Sequence, residues 1–254
     1  MQEPTHSNAP PPADAGIPRP LLAVGLLAVA AMVCASLGFW QLGRAGEARA
    51  LMERVALAAN EAPIRLRTSD AARESLRYAR VEVAGRYVPE RQILVDNIVH
   101  EGTAGYDVLT PFEPLDGGPW LMVNRGWIPA NPDRRVLPAV PVDGEPRTVT
   151  GMLDALPVPG LRLGEAPTAE TRAPLTVISF PTMGDLETIL GRSLFGYQLL
   201  LDPEQPDGYV QKLPAPSLTP EKHLAYAAQW WLFGSIAGGG AVAVAWRTLR
   251  RRKT

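Results

Sequence analysis

Polar and apolar positions follow distinct patterns along this chain, and each pattern predicts a different kind of element. Pro20 to Gly43 and Leu224 to Trp246 contain no Asp, Glu, Lys or Arg. Each run exceeds the roughly 20 residues a helix needs to cross about 30 Å of hydrocarbon. A charge at the bilayer centre costs a few kcal/mol or more, so uncharged runs of this length predict two transmembrane helices, 20–43 and 224–246. Arg44 to Asn60 is rich in Ala, Arg, Glu and Leu, which predicts that the first helix continues into water. Beyond Pro63 the period falls to two. Val81, Val83, Gly85 and Tyr87 alternate with Arg80, Glu82 and Arg86, the pattern of a half-buried strand. Short runs of similar character follow at Gln92 to Ile98, Tyr106 to Thr110, Trp120 to Asn124, Thr148 to Leu153, Leu175 to Phe180 and Gly196 to Leu201.

Turn chemistry separates these runs, at Asp116-Gly117-Gly118-Pro119, Asn131-Pro132-Asp133, Asp143-Gly144 and Asp207-Gly208. About seven punctuated strands predict a barrel or sandwich. One short helix is expected near Met183 to Leu190, with Leu186, Ile189 and Leu190 on one face and Gly191 as its stop. Leu156 to Pro174 and Leu213 to Pro220 are proline-rich and predict loops. The expected fold class is therefore membrane α+β: two transmembrane helices flank a mainly antiparallel extramembrane β domain, residues 44–223, that carries one short helix.

Charge orients this layout. The chain has 254 residues, 46% hydrophobic, with a formal net charge of −1. The segment between the apolar runs holds 24 acidic and 19 basic side chains, with no basic stripe, which argues against nucleic acid as a partner. Arg247, Arg250, Arg251, Arg252 and Lys253 lie just beyond the second run, in the tail 247–254. Positive-inside bias places that end in the cytoplasm. Two spans return the N-terminus to the same side and leave the large domain periplasmic. Arg44, Arg49 and Arg54 after the first run argue the other way, but long loops translocate largely regardless of charge.

The only cysteine, Cys34, falls inside the first apolar run, so the middle segment has neither a disulfide nor a thiolate metal site. That run is too long for a signal peptide, and the residues before Cys34 match a lipoprotein box poorly. The leader 1–19 carries Glu3, Asp14 and several prolines. It is expected to be a disordered tail unlike a basic transit peptide, which favours a bacterial inner membrane.

Candidate chemistry is sparse. His6 lies in the leader. His100, in His100-Glu101-Gly102-Thr103, could pair with Asp96 or Asp107 as a base. No GxSxG elbow, HExxH helix or glycine-rich phosphate loop accompanies it, so a polar turn histidine accounts for it better. His223 starts the second apolar helix, with Tyr226 and Trp230 at i+3 and i+7 on roughly one face. An imidazole there could ligate a metal, and aromatic rings there could equally be interfacial anchors. Gly234 with Gly238 and Ser235 with Gly239 form small-xxx-small pairs for helix packing. Gln41 and Gln229 are amides placed to hydrogen-bond between the helices. Arg125, before the glycine of Val123-Asn124-Arg125-Gly126-Trp127-Ile128-Pro129, is expected at a glycine bend ending a strand, either in a buried structural role or toward a partner.

Four stretches in order add a resemblance: Leu37 to Arg44 (LGFWQLGR), Gly105 to Pro111 (GYDVLTP), Val123 to Pro129 (VNRGWIP) and His223 to Trp231 (HLAYAAQWW). Together they resemble the surfeit locus protein one family of cytochrome c oxidase assembly factors, over nearly all of the chain after Arg19. The resemblance implies an inner-membrane protein that is not an enzyme. It would hold haem a as transient cargo and assist its insertion into the catalytic subunit of the oxidase. His223 matches the histidine proposed there as the haem-iron ligand, and Trp230 the neighbouring tryptophan. Arg44 matches the arginine after Trp-Gln, while Ala48 stands where a lysine is usual and Gln211-Lys212 where an Arg-Trp pair is often found.

The candidate haem site is thus His223, Trp230 and Tyr226, with Arg125 and Arg44 as partners for the propionates. Haem a synthase is a further candidate partner, and a homo-oligomer a candidate assembly. The competing expectation is a haem-free scaffold for oxidase intermediates.

Overall fold

The computed structural model describes residues 18–157, 169–172 and 175–251. The expected disordered leader, most of the proline-rich loop 156–174 and the last basic residues lie outside that range. The described residues fall into two compact units, one within 1–50 and 217–254, the other within 51–216.

The first unit is a pair of helices. Helix α1 runs unbroken from Arg19 to Asn60, 42 residues or about 63 Å at 1.5 Å per residue. The apolar run and its charged continuation are therefore one helix, as the composition predicts. Helix α3, Pro220–Arg251, opens on a proline, whose missing N–H is no loss in a first helical turn. Both helices are long and apolar enough to cross a membrane, and only 6% and 11% of their most apolar stretches are buried within the protein.

Their contact follows a seam of small residues. On α1 the less exposed positions include Ala31, Cys34, Ala35, Gly38 and Gln41; on α3 they include His223, Ala227, Trp230, Gly234 and Gly238. A Cβ placed on Gly234 would sit 3.3 Å from Cβ of Cys34, and one on Gly238 would sit 3.9 Å from that of Ala31. Gly239 meets nothing, and Ser235 bonds its own helix through the Trp231 carbonyl. The seam therefore uses the Gly234/Gly238 pair and not the Ser235/Gly239 pair.

The second unit contains the strands β1 (Ile64–Arg65), β2 (Arg80–Tyr87), β3 (Ile93–His100), β4 (Thr103–Pro114), β5 (Trp120–Pro129), β6 (Arg147–Asp154), β7 (Glu170–Arg172), β8 (Leu175–Ser179) and β9 (Leu194–Leu201), with helix α2 (Met183–Leu190) between the last two. The sheet order is β1-β2-β6-β9-β5-β4-β3-β8-β7, and β2 also pairs with β4. That extra pairing closes β2, β6, β9, β5 and β4 into a ring, so the unit is barrel-like. Strand β4 makes closure possible by its 12-residue length. Its first half pairs with β3, and Phe112 to Pro114 pair with β2. Antiparallel pairs predominate, with parallel exceptions at β1–β2, β3–β8 and β5–β9.

Val81, Val83, Tyr87, Phe112, Leu121, Val123, Val149, Leu153, Phe195, Leu199 and Leu201 form the main core cluster. A second cluster takes in Ile93, Met122 and Ile178 with Leu186 and Leu190 of α2. Helix α2 has the predicted bounds because both ends are written locally. Thr182 and Asp185 form a capping box, and Gly191 stops the helix in the left-handed conformation at φ 61°. The last turns of α1 belong to this unit, where Val55 and Ala58 pack with Tyr78 and Met152. Arg54 and Arg77 cover the Tyr78 ring at 5.4 and 4.8 Å.

Strand β5 extends past the expected end at Asn124 to Pro129. Gly126 does not end it but bends it in place at φ 110°, where a Cβ would come within 2.8 Å of the Tyr209 backbone. That close approach lets Trp127 N–H donate to the Val210 carbonyl.

Candidate site in the helix pair

The residues of the expected site separate between the two units. In the helix pair, Nδ1 of His223 lies 2.7 Å from Oε1 of Gln41, across the seam. Both side chains are nearly enclosed, at 7% and 9% exposure. The ring's other nitrogen, Nε2, has no hydrogen bond among the described residues and is not sealed off. Gln41 does not pair with Gln229 as expected. The amide of Gln229 is on the exposed side of α3, and His223 takes the place opposite Gln41.

The aromatic residues divide around this pair. Trp230, two turns on from His223, stays half-buried on the seam side and meets Phe233 edge-on, with ring centroids 6.1 Å apart. Tyr226 turns outward at 44% exposure, so it flanks the seam and does not continue the line from His223 to Trp230. The tryptophan that seats against α1 is Trp231, which the expected site omits. Its indole lies over Gly38, where a Cβ would be 2.2 Å from Nε1, and its ring meets Phe39 at 5.7 Å. A glycine facing an aromatic ring was the available signal, but it is readable only once the helices are in register. Arg44, one turn past Gln41, is exposed, and among the described residues its ion-pair partner is Glu47 on its own helix. Exposed pairs of this kind are worth roughly 0–1 kcal/mol, so Arg44 can exchange its partner for another anion.

Arg125 takes the buried structural role, one of the two expected for it, and not that of a propionate partner. Its side chain is 2% exposed within the barrel unit. Nε donates to the Asp207 carbonyl at 2.8 Å, one terminal nitrogen to Gln92 Oε1 at 3.0 Å and the Val140 carbonyl at 3.3 Å, and the other to the Pro141 carbonyl at 2.8 Å. A guanidinium has five N–H donors, and these bonds leave little for a propionate. Arg125 is corrected to a structural tie that joins β5, the chain before β3 and two loops.

His100 ends β3 at a two-residue turn through Glu101 and Gly102, both at positive φ, and its ring lies 5.1 Å from that of Trp127. Asp107 lies near it. Burial pushes the Asp107 carboxyl above its ordinary value, partly offset by a hydrogen bond from Asn124 and by the charges of Lys212 and His100. Gln211 and Lys212 donate to the carbonyls of Asn124 and Val99. Through these bonds the group forms a polar tie at the strand ends.

The family model of the SURF1 family matches residues 28–235, which takes in most of α1, the first half of α3 and the barrel strands between them. The chain belongs to the SURF1 family. It is similar to a SURF1-like protein of Mycobacterium tuberculosis, at 28% identity over 92% of this chain and 88% of that protein. A SURF1-like protein of Monosiga brevicollis is 30% identical over 39% of this chain and 41% of its own length. Surfeit locus protein 1 of Takifugu rubripes is 28% identical over 37% of this chain and 45% of its own.

The donor set of the helix pair can be tested against a haem. Among the described residues, no three His, Cys, Asp or Glu side chains converge as a metal cage. A porphyrin supplies four equatorial nitrogens itself and asks the protein for only one or two axial ligands. A single imidazole with one nitrogen engaged and the other open fits that requirement.

Proposed function

We propose that this SURF1-family protein is a membrane-anchored assembly factor for cytochrome c oxidase, which holds haem a in transit to the catalytic subunit and catalyses no reaction. The observation that carries this reading is His223, nearly enclosed between two helices yet with Nε2 unpaired. Nε2 supplies one axial ligand. Trp230 and Tyr226 flank it along α3, and Arg44 offers a surface cation to a propionate. A carrier must release its cargo, so one protein ligand beside an exchangeable position suits it better than a closed site.

Membrane insertion is supported by the exposed apolar side chains of both helices, among them Leu26, Val29, Met32, Ile236 and Val242. In water they would form an apolar patch far larger than soluble monomers carry. The basic residues after Trp246 favour cytoplasmic termini and a periplasmic barrel in a bacterial inner membrane. The catalytic subunit of the oxidase and haem a synthase are the partners this role requires, in the presence of membrane lipid.

The test is to purify the full chain from cells that make haem a and record its visible spectrum. The wild type is expected to carry haem a, and His223→Ala to lose it or shift its bands. A haem spectrum unchanged by His223→Ala overturns the ligand assignment. A wild type that carries no haem favours the haem-free scaffold.

A further inference from the structure

A histidine ring carries one hydrogen and can place it on either nitrogen, so a neutral imidazole presents two different faces to a metal. Among the described residues the ring of His223 has one hydrogen-bond partner, the side-chain oxygen of Gln41 at 2.7 Å from Nδ1. An amide oxygen can accept but not donate. With Oε1 toward the ring, the hydrogen must sit on Nδ1, which leaves the lone pair on Nε2. The partners come from different helices and are 182 residues apart in sequence, so the bond also fixes the ring's rotation relative to both helices.

We propose that Gln41 is a positioning residue that acts through Nδ1 of His223 to fix the tautomer and orientation presenting Nε2 as the ligand nitrogen. Its importance for haem rests on the function proposed above, whereas the tautomer itself does not. Metal-bound histidines generally donate their second N–H to a fixed acceptor, and loss of that acceptor typically weakens metal binding about 10–100-fold. Gln41 has a further consequence because it is neutral. A carboxylate acceptor would draw the Nδ1 hydrogen more strongly and make Nε2 a stronger donor to iron. A neutral amide keeps the ligand weaker, which suits a cargo that must leave.

The experiment uses the full chain in detergent micelles, with histidines labelled with nitrogen-15 and His223 assigned by difference from His223→Ala. Long-range proton–nitrogen correlation in the haem-free protein, above the titration range of histidine, reports which ring nitrogen is protonated. The wild type is expected to show hydrogen on Nδ1 alone. Gln41→Met, close in length but without an acceptor, is expected to show both tautomers.

Ferric haem a is then added, and its transfer to excess apomyoglobin is timed. Loss from Gln41→Met should be about 10–100 times faster than from wild type, and loss from Gln41→Glu slower. Unchanged tryptophan fluorescence in the variants guards against simple misfolding. Hydrogen on Nε2 in the wild type overturns the proposal, since the amide would then face the ring through its nitrogen. A Gln41→Met protein with the wild-type tautomer and transfer rate overturns it as well. If wild type takes up no haem while Nδ1 carries the hydrogen, the haem reading fails and the role toward iron falls with it, but the tautomer assignment stands.

Discussion

Arg125 in the barrel and His223 in the helix pair are both polar side chains taken out of water, and they end in opposite conditions. Arg125 is 2% exposed and makes four hydrogen bonds, all to acceptors inside its own unit. His223 is 7% exposed and has one ring nitrogen bound to Gln41 and the other unpaired. Burial removes hydration from both, so each needs protein partners. Where the partners use up the available donors, the residue can only hold the fold together. Where they engage one ring nitrogen and not the other, the residue keeps bonding capacity beyond the fold, which is what the proposed haem site asks of His223. A buried polar group is therefore better judged by what it has left over than by how deeply it lies.

The largest effect should come from testing the closed half of this contrast. Arg125→Met strips a partner from Gln92 Oε1 and from the carbonyls of Asp207, Val140 and Pro141 at once. Breaking a buried network of this kind costs about 3–5 kcal/mol. The full chain in detergent should show that loss in chemical denaturation, with haem retention unchanged in the fraction that remains folded. A well-folded Arg125→Met protein that has lost haem would place Arg125 in the site and undo the contrast.

The next test addresses the seam that holds the open half. A Cβ on Gly234 lies 3.3 Å from that of Cys34, close to the spacing a disulfide requires, whereas Gly239 faces nothing. Gly234→Cys should therefore cross-link to Cys34 under mild oxidation, and Gly239→Cys should not. Proteolysis between the helices followed by electrophoresis without reductant would read the difference. Equal cross-linking at both positions would mean that the helices are in another register, and His223 would no longer face Gln41.

The smallest effect concerns Asp107, where the barrel itself leaves a cost unrelieved. Its carboxyl is held above the ordinary range chiefly by burial, so the folded chain binds that proton more tightly than the unfolded chain does. Stability then declines as pH rises from below the ordinary carboxylate range through the raised folded value, and the penalty is complete above it. Asp107→Asn should remove that decline. Compared with wild type, the variant should gain melting temperature as pH climbs through the acid range and keep a constant advantage near neutrality. A gap that does not vary with pH would assign the effect to packing.

The sequence by itself determined every feature whose cause lies within a few residues. Uncharged runs marked both long helices, short alternating or apolar runs marked the cores of seven strands, and Thr182, Asp185 and Gly191 set the ends of α2. The two shortest strands, β1 and β7, escaped because two or three residues carry no readable period. Four spaced motifs also sufficed for the family.

Only the tertiary structure decided what those residues touch. It turned Tyr226 outward, set Trp231 on Gly38, drew Arg125 into the barrel and gave Gln41 a histidine in place of another amide. Periodicity says which face of an element is apolar, but not which residue of a distant element will lie opposite it. That choice depends on helix register and strand closure, which are settled by packing over the whole unit.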